Sequence, residues 1–114
     1  VKDLAKLEDL SLSFTKVTGP GLGPAPRFAQ LKYLRLTCCK LTDDNMHNLK
    51  HLKNLVYIDL TETYITDGGL HHLAGLAQLQ ELNLHFNKVS QAAVKDLQKA
   101  IPKLEVSGVR DPEP

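Results

Sequence analysis

Leu55–Leu79, LVYIDLTETYITDGGLHHLAGLAQL, contains the apolar pattern from which the fold of this 114-residue chain follows. Its apolar residues alternate at first, as in a strand, and then recur about every three residues, as in a helix. A unit of one short strand and one helix cannot bury its apolar side unless a similar unit packs on each side. These apolar positions are Leu55, Ile58, Leu60, Ile65, Leu70, Leu73 and Leu76.

Copies of this pattern occur at a spacing of 24 residues in both directions. We predict that the equivalent apolar residues of successive copies meet in shared columns and form the core. The two preceding copies are Leu7, Leu10, Leu12, Val17, Leu22, Ala25 and Phe28, and Leu31, Leu34, Leu36, Leu41, Met46, Leu49 and Leu52. The following copy is Leu79, Leu82, Leu84, Val89, Val94 and Leu97, after which one extra residue shifts the markers to Ile101 and Leu104.

The repeated pattern LxxLxLxxxxITDxGLxxLxxL resembles the leucine-rich repeat in its 24-residue bacterial form. The closest matches are Leu41-Thr42-Asp43 and the ITDGGL segment of residues 65–70. The resemblance implies an α/β fold, a right-handed leucine-rich repeat solenoid with short parallel strands on the concave side and helices on the convex side. It also implies binding of other macromolecules, because members of the family mostly have that role and share no single partner.

The repeats predict one domain over residues 1–109, with repeats at about 7–30, 31–54, 55–78 and 79–103 and partial repeats at both ends. Residues 110–114, RDPEP, are expected to form a disordered tail. Val1–Lys6 has the pattern of the end of an earlier repeat, and the chain is either a fragment of a longer protein or a whole one.

The same frame predicts the secondary structure. The expected strands lie near Asp9–Ser13, Tyr33–Thr37, Tyr57–Thr61 and Glu81–His85, with a last short strand at Leu104 and Val106. The expected helices are Asp43–Leu52, Asp67–Leu76 and Gln91–Ala100, whereas the prolines and glycines of residues 19–26 predict an extended crossover.

Two polar columns with the same spacing have predicted structural roles. One lies where each convex segment begins, where a hydroxyl can cap the free N–H groups of a helix, and comprises Thr18, Thr42, Thr66 and Ser90. The other lies at the bend after each strand, where backbone groups need partners, and comprises Thr15, Cys39, Thr63 and Asn87. Acidic residues follow the first column at Asp43 and Asp67, where they favour the start of a helix.

Composition excludes several function classes. The formal charge is +1, and no clustered basic face is evident, so nucleic acid is not an expected partner. No apolar stretch approaches the ~18 residues of a membrane span, so no membrane association is predicted. The two cysteines, Cys38 and Cys39, are adjacent and do not form a disulfide framework, and free thiols weakly favour a cytoplasmic, reducing compartment.

The outward side chains of the strands give the candidate binding site. Tyr and Arg are enriched at interface hot spots, and they cluster at the centre of the predicted sheet. The site residues that we predict on this concave face and its rim are Tyr33, Arg35, Tyr57, Asp59, Tyr64, Asn83 and His85. The alternative is a plain solvated sheet, in which Arg35 and Asp59 form an ordinary surface ion pair.

Histidines form the second candidate cluster. His47 and His51 lie on one face of a predicted helix, and His71 follows His47 by 24 residues, so three imidazoles could approach one another. No cysteine or carboxylate is clearly placed to complete a zinc site, so no metal or cofactor is predicted. No catalytic residues are evident, because the repeat spreads Ser, His and Asp over columns without a shared cleft.

The sequence therefore predicts a non-enzymatic interaction module that binds a protein or peptide through its concave face. One alternative is the substrate-recognition segment of a larger protein, such as a ubiquitin-ligase receptor, which the cysteine followed by LTD at Cys39–Asp43 resembles. A metal-binding or enzymatic role through the histidines is a third. Because solenoids need polar caps, we also expect further chain, a partner or a second copy to cover the N-terminal end.

Overall fold

Five short parallel strands form a single sheet whose strand order follows the chain. The computed structural model describes residues 8–11, 30–38, 41, 43, 46, 49–50 and 52–109. The strands are β1 (Asp9–Ser11), β2 (Tyr33–Arg35), β3 (Tyr57–Asp59), β4 (Glu81–Asn83) and β5 (Glu105–Ser107). Equivalent residues of successive repeats are register partners throughout, as in Leu34↔Ile58 and Ile58↔Leu82. The chain is thus an α/β solenoid with one strand in each coil.

The strands are shorter than the sequence predicted, with three residues each. They end early because the chain bends sharply three residues after a strand, where Glu62 and Phe86 adopt a left-handed backbone with φ of 55° and 62°. Hydrogen bonding between coils nevertheless continues past the strand ends, since Leu60 N donates to Asn83 O at 2.9 Å and Glu62 N donates to His85 O at 2.9 Å. The bend therefore changes the direction of the chain without separating the coils.

From residue 31 onward the core is the predicted set of apolar columns, whereas all but Leu10 of the apolar residues predicted for the first repeat lie outside the described residues. Every buried apolar residue among those described belongs to that set, from Leu31 to Leu104. Leu36, Leu60 and Leu84 are fully buried, and they follow three adjacent parallel strands at equivalent positions. Successive coils therefore share one continuous apolar interior, which confirms the arrangement on which the fold prediction depended.

The convex side carries two helical segments between β3 and β5. Helix α1 (Asp67–Leu70) continues as a 3₁₀ turn over His71–Leu73, and helix α2 (Gln91–Ala100) has the predicted bounds. The predicted helix Asp67–Leu76 is therefore wrong in its extent. Glycine costs about 1 kcal/mol in a helix interior, and the early glycines of this segment favour a tighter and shorter turn.

The column at the bends forms the predicted ladder where it is described. Asn87 Nδ2 donates to Leu60 O at 2.6 Å, and Asn87 Oδ1 accepts from Thr63 N at 3.0 Å. Thr63 is itself fully buried, and its hydroxyl donates to Leu60 O at 2.8 Å. These side chains satisfy the backbone groups that the bends leave without partners.

The predicted helix caps are confirmed at one position and wrong at another. Ser90 Oγ accepts from Ala93 N at 3.2 Å, as an N-cap should. Thr66 makes no such cap, and its hydroxyl donates instead to Asp43 Oδ2 of the preceding coil, while its N–H donates to Asp43 Oδ1 at 2.7 Å. Asp43 therefore holds the start of the next coil through hydrogen bonds. The sequence-based prediction had assigned it only to the first turn of its own helix.

Several predictions lie outside the described residues. These are the extended crossover of residues 19–26, the positions Thr15, Thr18, Cys39 and Thr42, the tail of residues 110–114 and most of the helix predicted over residues 43–52. Within that last segment Met46 and Leu49 are buried, as predicted. In the part of the chain that the structure covers, no helix is long and apolar enough to cross a membrane.

Candidate partner-binding face

The outward side chains of the sheet lie in two columns across the five strands. The first column is Asp9, Tyr33, Tyr57, Glu81 and Glu105, and the second is Ser11, Arg35, Asp59, Asn83 and Ser107. Alternation along each strand turns these residues away from the core, because the residue between them, such as Ile58, points inward. We call this surface the concave face, as in the sequence-based prediction.

Arg35 lies near the N-terminal end of the concave face, between a carboxylate and an aromatic ring. Its Nη1 lies 2.5 Å from Asp9 Oδ1, and its Cζ lies 5.7 Å from the centroid of the Tyr57 ring. The ion pair with Asp59 that the alternative of a plain solvated sheet included is not formed among the described residues, because Arg35 pairs with Asp9 instead. Half-exposed pairs of this kind contribute about 0–1 kcal/mol to stability, so Arg35 is available to a partner at little cost.

Asp59 is fixed by its own strand and by the residues that follow. Its Oδ1 accepts from Thr61 N at 3.0 Å and from Thr61 Oγ1 at 2.6 Å, and the Tyr57 hydroxyl lies 3.5 Å from its Oδ2. Burial raises the pKa of the Tyr57 phenol above its ordinary value, and the negative charge of Asp59 adds to the increase, while Arg35 opposes it. Tyr57 is therefore held in its neutral, hydrogen-bonding form.

Asn83 and His85 form a second local network. Asn83 Oδ1 accepts from His85 N at 3.1 Å, and His85 Nδ1 lies 2.6 Å from the same oxygen. The backbone N–H fixes the amide oxygen at that position, so a neutral His85 carries its proton on Nδ1 and leaves Nε2 as an acceptor. Both side chains therefore present defined hydrogen-bonding groups on the concave face.

Exposed aromatic residues lie on the loops that follow the strands. Tyr64 is 67% exposed with φ of 66°, and Phe86 is 71% exposed with φ of 62°. Bulky residues rarely adopt this left-handed backbone, and Phe86 lies at the same bend position as Glu62, whereas Tyr64 lies two residues further along its own loop. Phe86, one repeat length after Glu62, is an exposed aromatic residue that the sequence-based prediction of the face did not include.

The predicted site residues are thus only partly brought together. Six of the seven lie on the concave face or at its edge: Tyr33, Arg35, Tyr57, Asp59, Asn83 and His85. Tyr64 lies beyond β3 in the loop that leads to α1, and no hydrogen bond or ring contact among the described residues joins it to the others. Sequence reasoning missed Glu105 as part of the face, although it follows Glu81 by 24 residues.

An open hollow of about 300 Å³ lies on the C-terminal half of the concave face. Its polar side chains come from three adjacent strands, with Tyr57 on β3, Glu81 and Asn83 on β4, and Glu105 and Ser107 on β5. The hollow is shallow and open to solvent, which suits a side chain of a larger partner better than an enclosed small molecule.

The histidine cluster is not tested as a whole, since His47 and His51 lie outside the described residues. The ring of His71 packs against that of its neighbour His72, with centroids 4.0 Å apart. Among the described residues, no group of three or more His, Cys, Asp or Glu side chains could hold a metal ion.

Comparison with known proteins agrees with this architecture. The family model for the leucine-rich repeat matches residues 29–89, more than half of the chain. A crystal structure of an internalin from Listeria monocytogenes is similar, with a TM-score of 0.58 and 15% sequence identity over 96% of this chain. The matched region is 36% of that internalin's length, and no curated protein sequence matches. The family match and the coil-by-coil register together show that this chain belongs to the leucine-rich repeat family.

Proposed function

We propose that this chain is a protein-binding module whose concave face contacts a partner protein or peptide. The observation that carries the proposal is the central cluster of Tyr33, Arg35 and Tyr57, in which Tyr33 is 40% exposed and the Arg35 guanidinium lies near the Tyr57 ring. Aromatic and arginine side chains account for much of the energy of protein interfaces. Stacked on neighbouring strands, they offer a large contact area.

The concave face is also organised before any partner arrives. Asp59 is held by Thr61, and His85 by Asn83, through hydrogen bonds within or beside the same strand. Side chains that are already ordered lose less conformational entropy on binding, which leaves more of the contact energy as affinity. This order supports a recognition role over a plain solvated sheet.

The charge of the face supports a protein or peptide partner over nucleic acid. Its two columns carry four carboxylates and a single guanidinium, and phosphate groups would be repelled by that excess of negative charge. The carboxylates are those of Asp9, Asp59, Glu81 and Glu105.

The experiment that tests the proposal begins with capture of a partner and its identification by mass spectrometry, followed by affinity measurements with purified protein. We expect Tyr33→Ala or Tyr57→Ala to weaken binding about tenfold or more, the scale of a hot-spot residue. Lys95→Ala, an exposed change on helix α2, serves as the control and should leave affinity unchanged. Unchanged affinity in both tyrosine variants, with unchanged stability, would contradict the proposal.

Finer assignments remain proposals of the same kind. We infer that the chain binds a partner and does not catalyse a reaction. We also propose that its repeats belong to the 24-residue bacterial type of leucine-rich repeat. The resemblance to a ubiquitin-ligase receptor depends partly on Cys39, which lies outside the described residues. Sedimentation tests whether a second copy covers the N-terminal end, and a strictly monomeric 114-residue protein would contradict that case.

A further inference from the structure

The two ends of the concave face differ in how their charges are satisfied. At the N-terminal end the carboxylate of Asp9 pairs with Arg35. At the C-terminal end Glu81 and Glu105 are register partners on adjacent strands, and no ion pair among the described residues involves either of them. Like charges directly opposite each other on neighbouring strands destabilise a sheet. A cation from outside the chain would relieve that repulsion.

The chain itself shows how a guanidinium sits on this face. Arg35 lies between the Asp9 carboxylate and the Tyr57 ring, within 5.7 Å of the ring centroid. The first column reads carboxylate, tyrosine, tyrosine, carboxylate, carboxylate, so the same two kinds of group recur on the other side of Tyr57 as Glu81 and Glu105. The second column carries no cation there, since its members are Asn83 and Ser107.

The hollow of about 300 Å³ lies beside Glu81 and Glu105, where the second column provides no cation. A guanidinium is planar, carries five donors and stacks on aromatic rings, whereas an ammonium group is a strongly hydrated point charge. The side chains that line the hollow offer an aromatic ring, two carboxylates and the polar groups of Asn83 and Ser107. This combination matches a guanidinium better than a lysine ammonium group.

We propose that the hollow on the C-terminal half of the concave face receives an arginine side chain from a basic segment of the partner. The carboxylates of Glu81 and Glu105 would accept hydrogen bonds from the guanidinium, and the Tyr57 ring would border it. The inference rests on the proposed function, which it deepens by naming the chemistry of the partner.

The probe for the test is the blocked peptide Gly-Arg-Gly-Arg-Gly, added to isotopically labelled protein and followed by amide chemical shifts. Its controls are the same peptide with lysine and with citrulline, the neutral analogue of arginine. We expect the arginine peptide to shift the amides of Asn83, Glu105 and Ser107 saturably, and the citrulline peptide to leave them unmoved. The lysine peptide should bind more weakly than the arginine peptide.

The matched protein variants change charge without changing shape. Glu81→Gln with Glu105→Gln should weaken the arginine peptide about tenfold, as expected when charge-assisted hydrogen bonds are lost. Glu8→Gln with Asp96→Asn removes the same charge away from the hollow and should leave binding within about twofold, because exposed distant charges are screened. Thermal unfolding verifies that all variants are folded.

Equal binding of the arginine and citrulline peptides, or an equal effect of the two double variants, would overturn the arginine assignment. Equal binding of the lysine and arginine peptides would likewise overturn the arginine assignment. The proposed function is tested separately with the captured partner: if its binding depends on Tyr33 and Tyr57 but not on Glu81 and Glu105, the concave face stands as the binding surface and the arginine assignment falls.

Discussion

At the scale of single residues, Gly69 shows how closely successive coils approach. A Cβ atom on Gly69 would lie 2.6 Å from Asp43 Oδ1 and 3.3 Å from Asp43 Cα. That carboxylate also accepts the N–H of Thr66, so it cannot move away without breaking the contact between coils. The second glycine of ITDGGL is therefore required by packing of one coil against the previous one.

We predict that Gly69→Ala lowers the free energy of unfolding by about 1–3 kcal/mol, the usual cost of overpacking. Gly75→Ala is the control, because a Cβ there meets only the terminal Nζ of Lys53, at 3.3 Å. That side chain is flexible, so the control should be neutral or slightly stabilising. Urea unfolding measures both, and equal loss in the two variants would show that the close approach at Asp43 does not matter.

Tyr57 gives a prediction about pH. Its pKa is raised in the folded state, first by burial and then by Asp59, so the folded protein holds the phenolic proton more tightly than the unfolded chain does. The contribution of this group to stability is therefore fully present below the unfolded pKa of about 10. It is lost as the pH rises through the folded-state pKa.

Urea midpoints measured from pH 8 to about pH 11 should consequently fall less steeply in Tyr57→Phe than in the wild type. The difference between the ultraviolet absorbance titrations of the two proteins reports the ionisation of Tyr57 itself. A midpoint for that ionisation at or below the ordinary tyrosine pKa of about 10 would contradict the prediction.

At the scale of elements, the convex segments that begin at Thr66 and Ser90 are each tied to the preceding coil by an aspartate. Asp67 Oδ1 accepts from Ser90 N at 2.7 Å, and Asp67 Oδ2 accepts from Ser90 Oγ at 2.7 Å. Asp43 makes the same pair of contacts with Thr66, also 23 residues later. The start of one helical segment is therefore positioned by the preceding coil as well as by its own cap.

We predict that Asp67→Ala lowers the free energy of unfolding by roughly 1–3 kcal/mol, because two charge-assisted hydrogen bonds are lost. Ser90→Ala should cost about 0.5–2 kcal/mol through the cap alone. A double-mutant cycle should give a coupling of about 0.5–3 kcal/mol, the range for residues in direct contact.

Asp96→Ala is the control for this cycle. Asp96 is exposed on α2 and pairs only with the exposed Lys99 among the described residues, at 3.6 Å. The change should alter stability by less than about 0.5 kcal/mol. If Asp67→Ala and Ser90→Ala were simply additive, the contact between Asp67 Oδ2 and the Ser90 hydroxyl would have no energetic role.

At the scale of the whole molecule, stability should follow the stacking of coils. Leu60 lies in an inner coil with equivalent leucines on both sides, whereas Leu104 lies beside β5, the last strand of the sheet. Both are buried, so their side chains differ mainly in how many neighbouring coils they contact. In a solenoid, stability is close to a sum of coil and nearest-neighbour terms.

We predict that Leu60→Ala costs about 2–5 kcal/mol and that Leu104→Ala costs clearly less, since only one interface between coils is weakened there. Denaturant unfolding with amide exchange measures the global effect and its spread along the chain. Leu104→Ala costing as much as Leu60→Ala would show that the chain unfolds as one unit without distinct coil interfaces.

Much of the fold could be predicted because a fixed period converts sequence spacing into spatial contact. Helix α2 and the leucine columns have the predicted bounds and neighbours. The length of α1 was predicted wrongly, since propensity at its glycines competes with the apolar spacing. The candidate face was predicted in outline, but Glu105 was not included. The last buried apolar residues, Ile101 and Leu104, follow their equivalents by 25 residues, whereas strand β5 keeps the spacing of 24 from β4, so Glu105 was not assigned to the column of Glu81.

The 24-residue period was enough to identify which residues of successive coils are neighbours, because it places equivalent side chains on adjacent strands and turns their leucines inward. The partner of each polar side chain, in contrast, follows from the folded arrangement and not from the period. Arg35 contacts Asp9 instead of Asp59, and Asp43 holds Thr66 of the next coil instead of its own helix. The physical reason is that several acceptors lie within reach of each donor once the coils stack. The choice among them depends on distances of a few ångströms, which a repeat period does not contain.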